Sequence, residues 1–306
     1  MSATRDDRGF ALLAVLLVLA MLGALGAEFA YSMRLEASAV RTYRDGIVGG
    51  HLAEAAVAQA MRELAGNWAF VVADDHGELV FYSGDRAPMA QPARHEVALG
   101  PGHFSYRLRD EEALLNVNTA QPGRMEALLD LMGAQREQRD QIVDSIQDWR
   151  DANDEARPNG AESEYYGKLK VPYRTRNGNL ESINELLQIR GVTPALFYGV
   201  DGQTGLGDVL TVRTVGQVNI NTVSPLIMRA LGLSEAEVTT VLQSRREAPY
   251  LTVPGTFGGR GFAVTTRTFR VYAEGIVHGR VAARITAVLR RNSASDIAIA
   301  DWSGLQ

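Results

Sequence analysis

The sequence predicts an α+β fold in which a long N-terminal helix and a small antiparallel sheet are interrupted by a large inserted α-helical domain. Three observations predict it. The run from Phe10 to Ala27 holds no charged residue, and its helical pattern continues well past Ala27. Strand-like stretches follow, cease near Glu112 and return only after Thr265. Between them lie helical patterns and polar loops, with two copies of Asn-x-Asn-Thr. Strands, a helical block and strands again are the order expected when one domain is inserted into another.

The bulk composition limits what the chain can do. Its 306 residues allow one large domain or two modest ones, and 46% hydrophobic with 22% charged residues reads as globular. A formal net charge of −5 offers a polyanion no general attraction. The absence of cysteine excludes disulfides, zinc thiolate sites and thiol nucleophiles. The five histidines form no HExxH, there is no GxSxG, and the glycine-rich PGTFGGRGF lacks the Lys-Ser/Thr of a phosphate-binding loop. No catalytic constellation is present, so a non-enzymatic role is expected.

The first helix needs an explanation for its apolar half. Phe10 to Ala27 would rise about 27 Å, close to the ~30 Å hydrocarbon core of a bilayer. Three readings compete. A cleaved secretory signal could end at the small residues Ala24-Leu25-Gly26, and a plain anchor needs only the length. A leader of residues 1–9, cut between Gly9 and Phe10, would leave the helix in place. Arg5 and Arg8 hold that flank in the cytoplasm. Ala53, Val57, Met61 and Leu64 continue one helical face, as a retained helix packed on a globular head would require. Gly46, Gly49 and Gly50 should each weaken that helix by roughly 1 kcal/mol.

Beyond the helix, Glu78–Tyr82, Arg94–Leu99 and His103–Arg109 read as strands, the last two joined by the turn LGPGHF. Phe269–Val277 and Arg280–Leu289 read as a second pair around His278-Gly279. The expected boundaries are residues 1–9 leader, 10–27 membrane or fibre-core helix, 28–111 first α/β part, 112–265 insertion, 266–291 second β part and 292–306 flexible tail. Within the insertion, LLNVNTAQPGRMEALLDLMG resembles QVNINTVSPLIMRALGLSEAEV, and LESINELLQIRGVTPALFYG shares the helix–glycine–helix shape. The Asn and Thr side chains are expected to cap the helices that follow, with proline in the first turn. A helix over residues 136–150 should bury Ile142, Ile146 and Trp149. It runs into a loop of nearly thirty residues, DANDEARPNGAESEYYGKLKVPYRTRNGN, a length that needs a reason.

Taken in order, the Gly9-Phe10 junction, LLNVNTAQP, SIQDWRDANDEARPNGAESEYY, PYRTRNGNLESINELLQIRGVTPALF and QVNINTVSP resemble the K-type minor pseudopilins of type II secretion systems. The resemblance implies a pilin-like α/β core with a SAM- or helix-hairpin-helix-like insertion. It implies a single-pass protein of the inner membrane whose globular part faces the periplasm. There it would sit at the tip of the pseudopilus with the I-type and J-type minor pseudopilins, above the major pseudopilin, priming assembly for export of folded proteins. Prepilin peptidase would cut after Gly9 and N-methylate Phe10. Most pilin-like proteins carry glutamate at the fifth mature position; here it is Ala14, which suits a subunit with no neighbour ahead of it.

The same family is known for calcium in its helical domain. Asp148, Asp151, Asn153, Asp154, Glu162 and Glu164 supply oxygen ligands within one loop, although the spacing is not that of an EF-hand. The alternative is a solvated turn with capping side chains. Two other functions compete with the pseudopilin. One is a single-span periplasmic scaffold. The other is a membrane-tethered helix-hairpin-helix DNA-uptake factor, which the missing second hairpin glycines in LMGAQ, IRGVT and LGLSE argue against.

Overall fold

The computed structural model describes residues 7–304, with side chains from Phe10 onward. Helix α1 (Asp7–Leu64) is continuous over 58 residues. Its apolar first half is exposed along its length, and the stretch from Phe10 is long and apolar enough to cross a membrane by length and composition. Burial begins at Gly49, and Leu52, Ala53, Ala56, Val57, Ala60 and Leu64 are in the core. The glycines that weaken this helix locally are explained by contact. A Cβ on Gly49 would lie 2.6 Å from Ala282 Cβ, and one on Gly275 would collide with the Gly49 carbonyl. The helix therefore lies directly on the sheet backbone.

A short hairpin follows, β1 (Phe70–Ala73) and β2 (Leu79–Tyr82), paired Phe70 to Tyr82. Of these two strands only β2 was legible in the sequence. Strands β3 (Val97–Leu99) and β4 (Gly102–Asp110) form the expected turn, and β4 points Phe104, Tyr106 and Leu108 inward. Arg94 bridges Glu63 of α1 at 2.6 Å and Glu78 at 3.2 Å.

After Asp110 the chain leaves the sheet. A 3-10 turn (Glu111–Ala113) leads to β5 (Leu115–Asn116), α2 (Pro122–Leu131) and α3 (Arg136–Arg150), which buries Ile142, Ile146 and Trp149. The long loop holds only the short α4 (Ser163–Tyr166). Then come a 3-10 segment (Ile183–Gln188), α5 (Pro194–Tyr198), α6 (Leu206–Val209) and β6 (Leu210–Thr211), which pairs in parallel with β5. The second half repeats the plan with β7 (Val218–Asn219), α7 (Pro225–Ala230) and α8 (Glu235–Glu247). It closes with β8 (Phe262–Ala263), parallel to β7.

The two Asn-x-Asn-Thr motifs do not cap helices, contrary to expectation. Gln121 and Ser224 occupy the N-cap positions, and Gln121 makes no side-chain cap. Instead the second asparagine of each motif grips a distant backbone. Asn118 accepts the Leu180 N–H at 2.8 Å and donates to the Leu180 carbonyl at 2.8 Å. Asn221 does the same to Tyr250, at 2.8 and 3.1 Å. Each first asparagine accepts the N–H two residues on, which fixes the turn.

The chain rejoins the sheet in β9 (Thr268–Val277), β10 (Arg280–Ser293) and β11 (Asp296–Ser303), giving the antiparallel order β11-β10-β9-β4-β3. Asp110 lies opposite Phe269, so the insertion leaves and returns on adjacent strands. The expectation of a flexible tail over 292–306 is corrected by β11, which pairs with β10 from Ser293↔Asp296 to Thr286↔Ser303, while residues 305–306 lie outside the described residues. Most of its side chains are exposed and only Ile297 packs on the core, so backbone pairing rather than burial holds it.

Candidate metal centre

The acidic loop is shaped by the end of α3. Asp148 follows Ile146 on the buried side of the helix and is itself fully buried, while Asp151 is the C-cap residue. The loop turns back at Asn159, whose N–H bonds Asp144 at 3.1 Å, and places Gly160 against the Asp148 carboxylate. A Cβ at Gly160 would meet Asp148 Cγ at 2.8 Å, so only glycine lets the backbone pass this close. Two residues later Glu162 enters the protein and is 3% exposed.

One oxygen from each of Asp148, Asp151 and Glu162 falls within 4.8 Å of the others. Arg157 takes part of their charge, with Nη1 at 2.6 Å from Asp148 Oδ1 and 2.6 Å from Asp151 Oδ2. Among the described residues, neither Glu162 oxygen has a hydrogen-bond partner. Burial, with help from Asp148, Asp151 and Asp154, pushes the Glu162 carboxyl above the usual carboxylate range. Two orphaned oxygens beside two further carboxylates are costly in a dry site unless a cation is present. The donor set is all oxygen, which suits a hard cation such as calcium, a metal that takes 6–8 such ligands.

The other three predicted ligands lie outside this cluster. Asn153 is exposed, donates to Asp151 Oδ1 at 2.8 Å and accepts the Glu155 N–H at 2.8 Å. Asp154 accepts from Ser163 and Asn177 at 3.2 and 3.1 Å. Glu164 points outward to Lys168 at 2.5 Å. Sequence spacing missed Arg157 and Asn177, the latter 23 residues from Asp154 with a buried Oδ1 that has no partner. The richness of RTRNGN in polar residues was the only signal for Asn177. At the other end of the molecule, Gly9 and Phe10 lie in the first turns of α1, with Phe10 exposed.

The comparisons with known proteins fall on this frame. A profile described as type II secretion system (T2SS), protein K, matches residues 106–200, which run from β4 through α3 and the acidic loop to α5. A putative type II secretion system protein K from Escherichia coli (strain K12) is 27% identical over 81% of this chain and 77% of its own length. Type II secretion system protein K from Pectobacterium carotovorum subsp. carotovorum is 35% identical over 89 residues, or 29% of this chain and 27% of its own. The likeness to type II secretion system protein K is thus carried by residues 106–200 and by these two relatives. A solved structure, the GspK-GspI-GspJ complex from the enterotoxigenic Escherichia coli type 2 secretion system, contains a chain with the same fold. The two superpose with a TM-score of 0.62 at 15% identity, covering 88% of this chain and 99% of that one. The family profile thus includes all six predicted oxygen ligands, and the fold likeness extends over both the sheet and the insertion.

Proposed function

We propose that this protein is a member of the type II secretion system protein K family, a minor pseudopilin that caps the pseudopilus, joins I-type and J-type minor pseudopilins and primes assembly on the major pseudopilin. The observation that carries this reading is one molecule with two parts: an exposed apolar helix continuous with a sheet, and a bulky insertion projecting from that sheet. The fold likeness to a chain of the GspK-GspI-GspJ complex supports the choice of partners. In this reading α1 anchors the protein in the inner membrane and packs with partner helices, and the globular part lies in the periplasm. The work is assembly rather than catalysis. Ala14 leaves no carboxylate to neutralise a neighbour's terminal amine, as suits the first subunit of a fibre.

The leader would be removed after Gly9 by prepilin peptidase and Phe10 N-methylated. Intact mass of membrane-extracted protein, with and without the peptidase, tests this together with co-purification of the I-type and J-type subunits. A chain starting at methylated Phe10 and a stable ternary complex are expected. An uncut Met1 with no complex would leave a single-span scaffold, and salt-sensitive DNA binding would point to an uptake factor.

Calcium belongs to the same reading. Asp148, Asp151 and Glu162 would hold it, and the ion would supply the positive charge that their oxygens lack. The residues themselves bring the end of α3 and the returning loop together. Calcium at about 100 times its Kd should stabilise the protein by ~2.7 kcal/mol, roughly 5–10 °C in melting temperature. The shift should vanish in Glu162→Gln. An equal shift in that variant would place the ion elsewhere.

A further inference from the structure

The insertion is fastened to the sheet by two buried carboxylates that, among the described residues, pair with no cationic side chain. Asp110 ends β4, and Glu112 lies two residues on in the 3-10 turn; both are more than nine-tenths buried. Asp110 Oδ2 accepts from Asn219 Nδ2 at 2.9 Å and from the Thr222 hydroxyl at 2.5 Å, both in the second Asn-x-Asn-Thr motif. Asp110 Oδ1 accepts the Glu112 N–H at 2.8 Å. Glu112 Oε2 accepts the N–H groups of Arg267 and Thr268 at 3.2 and 2.9 Å, where the chain re-enters the sheet. Together they join both ends of the insertion and its second repeat.

The hydroxyl of Thr266 exposes the difficulty. Its Oγ1 lies within hydrogen-bonding distance of Asp110 Oδ1 and, at 2.7 Å, of Glu112 Oε2. A hydroxyl has one proton to donate, so it cannot satisfy two ionised carboxylates at once. We propose that at neutral pH the Asp110 carboxyl is protonated and donates to Thr266 Oγ1, while the Thr266 hydroxyl donates to Glu112, so that one proton latches the insertion to the sheet and its loss loosens that hold.

The surroundings agree. From β4, Arg109 donates to the Asp208 carbonyl; Arg270 of β9 pairs with Glu111 at 2.6 Å. Arg291 of β10 bonds the Leu64 and Gly66 carbonyls, each at 3.0 Å. Arg267 and Arg290, together with Arg291, line a cavity of about 490 Å³ beside Glu112. None of these guanidinium groups bonds an oxygen of Asp110 or Glu112 among the described residues. The β1–β2 hairpin faces Asp110 with the uncharged Ala73, Gly77 and Leu79. Burial first, and the Glu112 charge second, push the Asp110 carboxyl up to about 8 against the pull of its hydrogen bonds to Thr222, Thr266 and Asn219.

A carboxyl raised in the folded state stabilises most at acid pH, below its unfolded value near 3.8, and loses that contribution as pH climbs through about 8. Two measurements on the full chain in detergent micelles test the latch. Infrared spectroscopy should show a protonated-carboxyl carbonyl stretch at pH 7 that titrates away near pH 8 and is missing in Asp110→Asn. Hydrogen exchange at Arg267 and Thr268, corrected for intrinsic rate, should accelerate by up to about tenfold per pH unit below that midpoint. Glu112→Gln, which removes the neighbouring charge, should move the infrared midpoint down. If Asp110→Asn does not fold, the wild-type titration and Glu112→Gln decide alone. A spectrum without the acid band at pH 7, or a band unchanged in both variants, overturns the proposal.

Discussion

At the scale of single residues, Gly160 and Glu162 set the candidate metal centre. Gly160 is there because the Asp148 carboxylate leaves no room for a Cβ. Gly160→Ala should therefore push the loop off the end of α3 and destabilise the protein by about 1–3 kcal/mol, with calcium binding weakened in parallel. Thermal melts with and without calcium check both effects. Had the glycine been needed only for a turn, alanine would be tolerated, since the positive-φ residues of the chain do not include it. Composition pointed to this loop, but not to which acids converge. Asp148 and Glu162 are fourteen positions apart and meet because the loop folds back onto α3, held by Asn159 on Asp144 and by Arg157 on Asp148.

At the scale of elements, the paired asparagines explain how the insertion holds together. Each second asparagine grips a backbone segment like an extra strand, and each first one closes its own turn. The repeat also accounts for the long loop. In the second unit the gripped residue, Tyr250, follows α8 almost directly, whereas in the first the gripped residue, Leu180, follows α3 only after the acidic loop. The long loop is thus present in the first unit of the repeat and has no counterpart in the second. Asn221 is fully buried and Asn118 only partly so, which orders the expected damage. Asn221→Ala leaves the Tyr250 N–H and carbonyl unpaired and should cost about 2–4 kcal/mol, with Asn118→Ala costing less. Chemical denaturation of the two variants side by side checks the order. The repeat itself was legible in the sequence; its role as a clamp was not, because the partners lie 62 and 29 residues away.

At the scale of the whole molecule, the sheet joins a membrane-length helix to a helical head. α1 reaches the sheet through glycine contacts at Gly49 and Gly275, and the insertion hangs from the ends of β4 and β9. The last strand, β11, covers the edge of β10. Deleting residues 294–306 should lower the melting temperature by only a few degrees, because little side-chain surface is lost. It should also raise aggregation, since the long β10 would become an open edge. Scattering during a thermal ramp measures the second effect; a variant that melts lower without aggregating would mean that β11 serves stability alone.

By itself the sequence determined the layout. The uncharged run from Phe10 to Ala27, the alternation in β4 and β9, the helical face of Ile142, Ile146 and Trp149, and the duplicated Asn-x-Asn-Thr are local patterns, and local periodicity survives without knowledge of the fold. Tertiary structure decided the rest. It made β11 a strand despite its exposed side chains, grouped three of the six candidate ligands, turned presumed caps into clamps and enclosed Asp110 and Glu112 around one hydroxyl. Each of these depends on a partner distant in the chain or on removal from water, and neither is encoded in the spacing of neighbouring residues.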